Sequence, residues 1–463
     1  MPRFAPHRRP PRPRSRAPSP AHPGRLLVGS FLTLIAIGTL LLKLPWATPP
    51  EQPIGWTDAL FTATSASCVT GLVVRDTGAG FTGFGQAVIL GLIQAGGLGI
   101  MSFSLLILSL LRGRPTFAQR AVYEQTLAGG PQGDVLPLLR LVFLFAFGAE
   151  AVGALLLAAR WVPEHGAGEG AWAAVFHAVS AFCNAGFGLW PDSLERYRGD
   201  AWINSVVMAL IVLGGLGFFV VWELVRGRGR WRALSVHSKL ALVVSGVLIV
   251  AGTGIFWVLE AGNTLFGLTR GEQLLASLFQ SVTTRTAGFN TIEIGRLSPP
   301  TLFFLTILMF IGGSPGSTAG GVKTTTFGVL VLIMLTRFRG HRNVDAFRRT
   351  LTRGTLASTT AIALGGVLTA VGGVFVLLLA EAPARAVEQD SAVFLSLYFE
   401  AVSALGTVGL STGVTGFLEP PSRLIVTILM FLGRLGPLTV ASSLAAASTI
   451  GDWRYPEEDV VVG

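Results

Sequence analysis

The sequence predicts an all-α polytopic membrane protein, and three observations support this prediction. Only 13% of its 463 residues are charged, whereas 51% are hydrophobic, and the mean hydropathy is +0.62. Several apolar runs reach the ~20 residues that a helix needs to cross a bilayer. One pattern also occurs four times: a long apolar run, a short apolar run, a loop that contains glycine, and a second long run. A soluble chain of this size would need more charge to cover its surface.

The apolar runs fall into three sets. The first long runs cover about 26–44, 138–159, 240–259 and 357–380. The second long runs cover about 87–111, 201–225, 302–335 and 424–447. Between them lie runs of 11 to 14 residues, at 58–68, 172–184, 273–284 and 392–405. The short runs cannot span a bilayer and suit re-entrant half-helices, so we expect eight transmembrane helices and four half-helices.

These elements predict four repeats, each of a span, a half-helix, a loop and a second span. We call them units one to four, and they cover residues 26–112, 137–225, 237–336 and 354–447. Residues 1–25 contain seven arginines and eight prolines. Because proline opposes helix formation, they predict a basic, disordered cytosolic arm. Residues 448–463 predict a short cytosolic tail.

The charges predict the orientation. Arginines cluster in the connections that follow units one, two and three, whereas the opposite connections are acidic or mixed. By the positive-inside rule, both termini are cytosolic and the half-helices enter from outside. The net charge of +10 then reflects topology and contacts with lipid headgroups, and we expect no nucleic-acid partner. Cys68 and Cys183 are too few for a disulfide framework or a zinc site.

Each half-helix is followed by a loop with a central glycine. The four loops are Val69-Thr70-Gly71, Asn184-Ala185-Gly186, Thr286-Ala287-Gly288 and Thr407-Val408-Gly409. A glycine patch on the second run follows 25, 28, 24 and 24 residues later, starting at Gly96, Gly214, Gly312 and Gly433. Rings of backbone carbonyls can replace the water that a cation sheds, and glycine reaches the required backbone angles. The loops therefore predict a filter for a monovalent cation, while close helix packing is a fair alternative for the patches alone.

Unit three departs from the other units. Its second run is interrupted by a segment containing Gly312, Gly313, Ser314, Pro315, Gly316, Ser317, Thr318, Ala319, Gly320, Gly321 and Lys323. One proline and five glycines cannot continue a helix, and irregular backbone at membrane depth lines a cavity or is buried in protein. We interpret this segment, residues 312–323, as a gate, with a static kink as the alternative. Arg434 lies near the predicted pore axis. Its alternative roles are an electrostatic barrier to cations, an anchor for the gate and one partner of a structural ion pair.

Other polar groups in apolar runs have structural interpretations. We expect a buried hydrogen bond at Glu150, with a coupling-ion site as the alternative. Arg285 and Glu400 flank the third and fourth filter loops and could pair with each other. His177, on the second half-helix, is predicted to pack against its neighbours.

The motifs resemble those of the Trk/Ktr/HKT superfamily of K⁺ transporters. The resemblance rests on Asp58–Ala66, Cys68–Leu72, Thr284–Asn290, Gly313–Thr324 and Gly433–Thr439, and it extends over nearly the whole chain after the arm. Within the superfamily, the sequence looks most like the KtrB-type membrane subunits of bacterial Ktr uptake systems. The resemblance implies four membrane-pore-membrane repeats around one pseudo-fourfold pore. It also implies that the four glycines form a K⁺ filter, that segment 312–323 is the gate, and that Arg434 lies near it.

The resemblance also implies partners. It implies a homodimer in the bacterial inner membrane, resting on a cytosolic ring of KtrA-type regulatory subunits. ATP or ADP would bind only to that ring, and Na⁺ could stimulate transport. A Na⁺-permeable relative is the main alternative, although Gly71 favours K⁺ because a serine at this position accompanies Na⁺ preference in plant relatives. A polytopic membrane enzyme is less well supported, because no clustered catalytic groups occur within the spans.

Overall fold

The computed structural model describes residues 23–110, 135–382, 391–436 and 439, and its fold is helical. Unit one contains α1 (Pro23–Leu42), α2 (Trp56–Ser67), α3 (Thr77–Gly80) and α4 (Gly83–Leu110). Unit two contains α5 (Val135–His165), α6 (Ala167–Phe182), α7 (Ala201–Leu216) and α8 (Phe218–Arg226). Unit three contains α9 (Val236–Glu260), α10 (Arg270–Thr283), α11 (Pro299–Phe310) and α12 (Thr324–Phe338). Unit four contains α13 (Arg353–Glu381), α14 (Ser391–Gly406) and α15 (Pro420–Leu435).

An antiparallel hairpin, β1 (Asp345–Ala346) and β2 (Arg349–Thr350), lies between α12 and α13. Most of the arm predicted at 1–25 and all of the tail predicted at 448–463 lie outside the described residues.

The first helix of each unit is suited to cross a membrane. Among the described residues, the helices long and apolar enough are Gly24–Leu42, Leu139–His165, Val236–Glu260 and Arg353–Glu381. The broken pair α7 and α8 adds a fifth span if its two parts are counted together. Leu144, Val258 and Leu368 are exposed on α5, α9 and α13, and such apolar surfaces suit lipid rather than water. The chain is therefore a helical membrane protein, whereas the layout of eight spans stays a prediction.

Local sequence signals explain where several helices begin. Thr269 and Glu272 form a capping box at the start of α10, each side chain accepting a hydrogen bond from the other residue's amide. Asp200 accepts hydrogen bonds from the first amides of α7. The helices α11 and α15 begin with Pro299 and Pro420, whose fixed φ suits the first helical turn. These helix starts are thus encoded locally.

The half-helices α2, α6, α10 and α14 link the units in a closed cycle. Each of them packs against the second helix of the preceding unit: α6 on α4, α10 on α7, α14 on α11, and α2 on α15. Small side chains permit this approach, since Ala59, Ala63 and Ala66 of α2 are fully buried. The four half-helices therefore converge on one centre.

An ion pair connects the last unit to the first. The Nη1 atom of Arg423 on α15 donates to Oδ1 of Asp58 on α2 at 2.5 Å, and both side chains are mostly buried. The same guanidinium donates to the carbonyl oxygens of Leu418 and Gly416, which fixes its direction. This pair joins two ends of the described chain that are 365 residues apart.

We predict that Asp58→Asn weakens this closure. A hydrogen bond to a charged group typically contributes about 1.5–3 kcal/mol, so the free energy of unfolding should fall by about that amount, seen as a lower Tm in detergent. The exposed pair Arg196–Asp192 provides a control, because Asp192→Asn should cost at most ~1 kcal/mol. Equal melting of the two variants would contradict a closing role for Asp58.

Candidate functional site: the glycine ring and the segment beneath it

The four loops after the half-helices share one backbone conformation. The residue two before each glycine has a positive φ: Val69 (56°), Asn184 (59°), Thr286 (75°) and Thr407 (50°). The glycines also have a positive φ: Gly71 (95°), Gly186 (70°), Gly288 (80°) and Gly409 (91°). A residue other than glycine loses about 1–2 kcal/mol in this left-handed region. Strain that recurs at four matching positions marks a candidate functional site.

The ends of the half-helices enforce this conformation. In unit one, the amide of Val69 donates to the carbonyl of Ala66 at 3.1 Å, and the amide of Thr70 donates to that of Ser65 at 2.8 Å. These are the paired bonds of a Schellman motif, which ends a helix on a left-handed residue. Units two and four repeat the pattern at equivalent residues. Unit three differs, because one residue fewer separates the buried phenylalanine of its half-helix from its glycine, and Ala287 donates to Thr283 instead.

The four loop glycines form a closed ring. A Cβ atom on each glycine would collide with the carbonyl oxygen of the residue that precedes the next glycine. The pairs run Gly71 to Ala185, Gly186 to Ala287, Gly288 to Val408, and Gly409 to Thr70. At Gly186, for example, the added Cβ would lie 2.7 Å from the oxygen of Ala287. Glycine is therefore required at these positions by close approach as well as by φ.

The carbonyl groups of this ring are free to bind a ligand. In the described part of the chain, no hydrogen bond reaches the carbonyl oxygens of Thr70, Ala185, Ala287 or Val408. Buried carbonyl groups normally find a partner, so four unpaired oxygens in one ring need an explanation. A dehydrated cation is such a partner, because it takes several oxygen ligands in place of water.

Hydroxyl groups on the half-helices hold the loops from behind. The Oγ atoms of Ser65 and Ser403 each accept from the amide of their own loop glycine, at 3.1 Å. In units two and three the hydroxyl instead donates to the carbonyl of the residue after the glycine. Ser180 donates to that of Phe187 at 2.8 Å, and Thr283 donates to that of Phe289 at 2.6 Å. These bonds use loop groups that face away from the ring and leave the ring carbonyls unpaired.

The glycine patches on the second helices serve packing. A Cβ on Gly96, Gly214 or Gly433 would collide with a backbone carbonyl at the end of the half-helix of the same unit. The packing interpretation of the patches is thus confirmed for units one, two and four. The patch of unit three, at Gly312, instead contacts Gly320 within segment 312–323.

Segment 312–323 lies directly against the ring loops. The Oγ1 atom of Thr318 donates to the carbonyl of Phe182, the last residue of α6, at 3.1 Å. A Cβ on Gly320 would collide with the hydroxyl of Thr407 in the fourth loop. The segment is largely buried and irregular, as the sequence predicts, and it places non-helical backbone beneath the ring.

Arg434 anchors this segment. Its Nη1 atom donates to the carbonyl of Thr318, and its Nη2 atom donates to that of Gly96 at 2.9 Å. Within the described residues it has no acidic partner, and these two contacts agree with the anchor interpretation. Lys323 donates to Ala319 at 2.7 Å within the segment, which places a second basic side chain there.

The sequence prediction of an unbroken second helix in unit two is wrong. The chain bends by 95° between α7 and α8 at Gly217, where φ is +83°. Segment 312–323 causes the break, because Ser314 and Thr318 donate their amides to the carbonyls of Gly215 and Gly214, at 2.9 and 3.2 Å. The sequence feature that could have predicted this break is the four-residue patch from Gly214 to Gly217, which contains three glycines.

The expected pairing of Arg285 with Glu400 is also wrong. The carboxylate of Glu400 instead accepts a hydrogen bond from the hydroxyl of Thr415. The buried hydrogen bond predicted at Glu150 is present, with the amide of Gln94 donating to both carboxylate oxygens at 3.0 Å.

A carboxylate that sequence reasoning missed lies beside the third ring loop. The side-chain amide of Asn290, two residues after Gly288, donates to Oε1 of Glu195 at 2.8 Å. Burial raises the pKa of Glu195, the nearby Glu293 and Asp192 raise it further, and the bond from Asn290 opposes this shift. The group adds negative potential beside the ring, which attracts cations.

Comparison with known proteins agrees with a cation site. The profile of the TrkH family, described as a cation transport protein, matches residues 26–449. The Ktr system potassium uptake protein B of Bacillus subtilis is 41% identical over 95% of this chain and 96% of its own length. The protein of the same name from Vibrio alginolyticus is 38% identical over 95% and 94%.

The potassium/sodium uptake protein NtpJ of Enterococcus hirae is 37% identical over 95% of this chain and 97% of its own. The crystal structure of the potassium transporter TrkH from Vibrio parahaemolyticus has a TM-score of 0.72 over 94% of this chain and 87% of that chain. At 18% identity, that structure supports the fold alone.

We predict that Arg434→Gln loosens segment 312–323, because a glutamine cannot reach both Thr318 and Gly96. Hydrogen–deuterium exchange of the segment amides should speed up about tenfold or more, which corresponds to about 1.4 kcal/mol of lost local stability. Arg160→Gln, which removes a surface pair with Asp200, is the control and should leave this exchange unchanged. Unaltered exchange in Arg434→Gln would show that the segment is held by other contacts.

Proposed function

Because the chain belongs to the TrkH family of cation transport proteins, we propose that it is the K⁺-translocating subunit of a bacterial K⁺ uptake system. The observation that carries the proposal is the ring of four unpaired carbonyl oxygens, each closed by the glycine of the neighbouring loop. Its relatives of 37–41% identity are named as potassium uptake proteins, one of them for sodium as well. None of these names describes an enzyme, which leaves the polytopic membrane enzyme without support.

In this proposal, the filter consists of the loops ending at Gly71, Gly186, Gly288 and Gly409. A glycine in all four loops keeps the ring carbonyls at matching heights, which favours K⁺ over Na⁺. A Na⁺-permeable transporter is the second candidate, favoured by the name of the Enterococcus relative. The two differ in the selectivity of the ring and not in its architecture.

The proposed membrane layout has four repeats, eight spans and four half-helices that enter from outside. Both termini then lie in the cytosol of a bacterium, with the protein in the inner membrane. The cycle of half-helix contacts supports this layout, because each unit contributes one half-helix to one centre.

Segment 312–323 is the proposed gate. It lies beneath the ring and is bound by backbone carbonyls of unit two and by the side chain of Arg434, which also binds the carbonyl of Gly96 in unit one. Arg434 and Lys323 also place positive charge next to the path of a cation, which acts as a barrier while the segment stays in place.

We further propose that two copies of this chain form a homodimer on a ring of KtrA-type regulatory subunits. ATP or ADP would act only on that ring. Na⁺ would act as a stimulating ion. This part of the proposal rests on the family relationship.

We expect Gly71→Ser to lower the preference for K⁺ over Na⁺ by about tenfold. The added side chain meets a left-handed φ and the carbonyl of Ala185, a cost of at least ~1–2 kcal/mol. The measurement is growth of a K⁺-uptake-deficient bacterium at low K⁺, with competing Na⁺, with and without a KtrA-type partner.

Gly91→Ser is the matched control, because a Cβ at Gly91 on α4 meets no atom within 4 Å. Wild-type selectivity in Gly71→Ser would contradict the filter assignment. Failure of the wild type to support growth with or without the partner would contradict K⁺ uptake itself.

Deletion of residues 316–320 should raise K⁺ flux in proteoliposomes, because it removes the contacts of the segment with α6 and Arg434. The ratio of K⁺ to Na⁺ flux serves as the internal control. Higher flux at an unchanged ratio identifies the segment as the gate. Flux at the wild-type level would exclude that role, and a changed ratio would indicate damage to the ring.

A further inference from the structure

One position on the half-helices carries an ionisable side chain in two units only. This position follows a buried phenylalanine of each half-helix, and units one to four carry Thr62, His177, Gln280 and Glu400 there. The ring order places units two and four diagonally opposite each other. His177 and Glu400 are fully buried, and neither touches the ring glycine of its own loop.

His177 holds the chain that leaves the second ring loop. The amide of Leu189, three residues after Gly186, donates to Nε2 of His177 at 3.4 Å. The Nδ1 atom lies 2.8 Å from the carbonyl of Ala173 and donates to it. The imidazole also stacks on Trp190, with ring centroids 4.5 Å apart. These contacts require a neutral ring, with the proton on Nδ1 and a free lone pair on Nε2.

The surroundings of His177 are aromatic and uncharged. Trp161 of α5, Phe176 of α6 and Phe289 of the third loop complete its shell, together with Trp190. The titratable groups behind this shell are Tyr197, His165 and Glu164. They bond to one another, at 2.8 Å for His165 to Tyr197 and 3.1 Å for Tyr197 to Glu164, and not to His177.

Glu400 holds the chain that leaves the fourth ring loop. Its Oε1 atom accepts from the hydroxyl of Thr415, six residues after Gly409. The hydroxyls of Thr415 and Ser411 lie 2.9 Å apart, and Ser411 accepts from the amide of Gly413 at 3.0 Å. Within the described residues, Oε2 of Glu400 has no partner. Burying a carboxyl group with one oxygen unpaired lowers the stability of the fold. A carboxyl group kept at this position therefore indicates a function that outweighs the lost stability.

We propose that His177 and Glu400 are positioning residues, which hold the outer ends of the second and fourth filter loops and so maintain K⁺ selectivity. This proposal rests on the function proposed above. The ring is fourfold in its carbonyl groups, but its outer support is then twofold, because the braces in units two and four are ionisable, whereas the side-chain amide of Gln280 in unit three has no partner within the described residues.

Matched variants separate positioning from packing. His177→Phe keeps an aromatic ring but removes the acceptor for Leu189. His177→Gln loses the stacking but keeps an acceptor. Glu400→Leu fills the space without an acceptor, whereas Glu400→Gln keeps one for Thr415. Glu169→Gln, on the exposed first turn of α6, is the control.

The readout is the ratio of K⁺ to Na⁺ uptake in proteoliposomes, with Tm as the test of folding. We expect His177→Phe and Glu400→Leu to lower the ratio about fivefold, the effect of about one lost hydrogen bond. His177→Gln, Glu400→Gln and Glu169→Gln should keep it. The ratio of the wild type should also fall when the external pH is lowered, because a protonated Nε2 cannot accept the hydrogen bond from Leu189. This fall at low pH should be absent in His177→Gln.

A packing role predicts the opposite order, with His177→Phe selective and His177→Gln impaired. Folded His177→Phe and Glu400→Leu proteins with the wild-type ratio would overturn the proposal while leaving the filter intact. A wild type that does not discriminate K⁺ from Na⁺ would instead overturn the filter itself. A variant that does not fold is replaced by Thr415→Val, which removes the donor to Glu400 from the other side and should lower the ratio equally.

Discussion

The structure depends on one repeated contact, in which the carbonyl group before each loop glycine lies against the glycine of the preceding loop. No unit can form this contact alone, since each loop supplies a carbonyl to one neighbour and a glycine to the other. The left-handed residues at Val69, Asn184, Thr286 and Thr407 are held in this unfavourable conformation by the ends of their own half-helices, and closure of the ring brings the four loops together. The surrounding helices can be understood as the means of holding four strained loops together.

Closure of the ring requires matching contacts on the outside of the loops. The half-helices provide them by packing on the preceding unit, and the pair of Arg423 with Asp58 joins the ends of the cycle. The units are not interchangeable, however. Unit three has one residue fewer between the buried phenylalanine of its half-helix and its glycine and supplies segment 312–323, and unit four supplies Arg434. The binding ring is nearly fourfold, whereas the machinery beneath it belongs to particular units.

Much of this arrangement could be predicted because its signals are local. Half-helix length, loop glycines and the glycine–proline interruption at 312–323 are all visible within short stretches of sequence. The break at Gly217 was missed because its cause is a segment about one hundred residues later, whose amides take the carbonyls of Gly214 and Gly215. The expected pair of Arg285 and Glu400 failed for a related reason. Proximity to two neighbouring loops does not determine the direction of a buried side chain, and Thr415 was a nearer partner for Glu400.

The way in which segment 312–323 is bound has an energetic consequence. Its partners Phe182, Gly214 and Gly215 contribute backbone carbonyls at the ends of helices, where such groups lack helical partners. If the segment moves away, pore water can hydrate these carbonyls and the amides they release. The displacement then exchanges one set of hydrogen bonds for another of similar strength, without exposing an apolar core. Two arrangements of the segment would differ little in free energy, so a modest force from elsewhere in the assembly could decide between them.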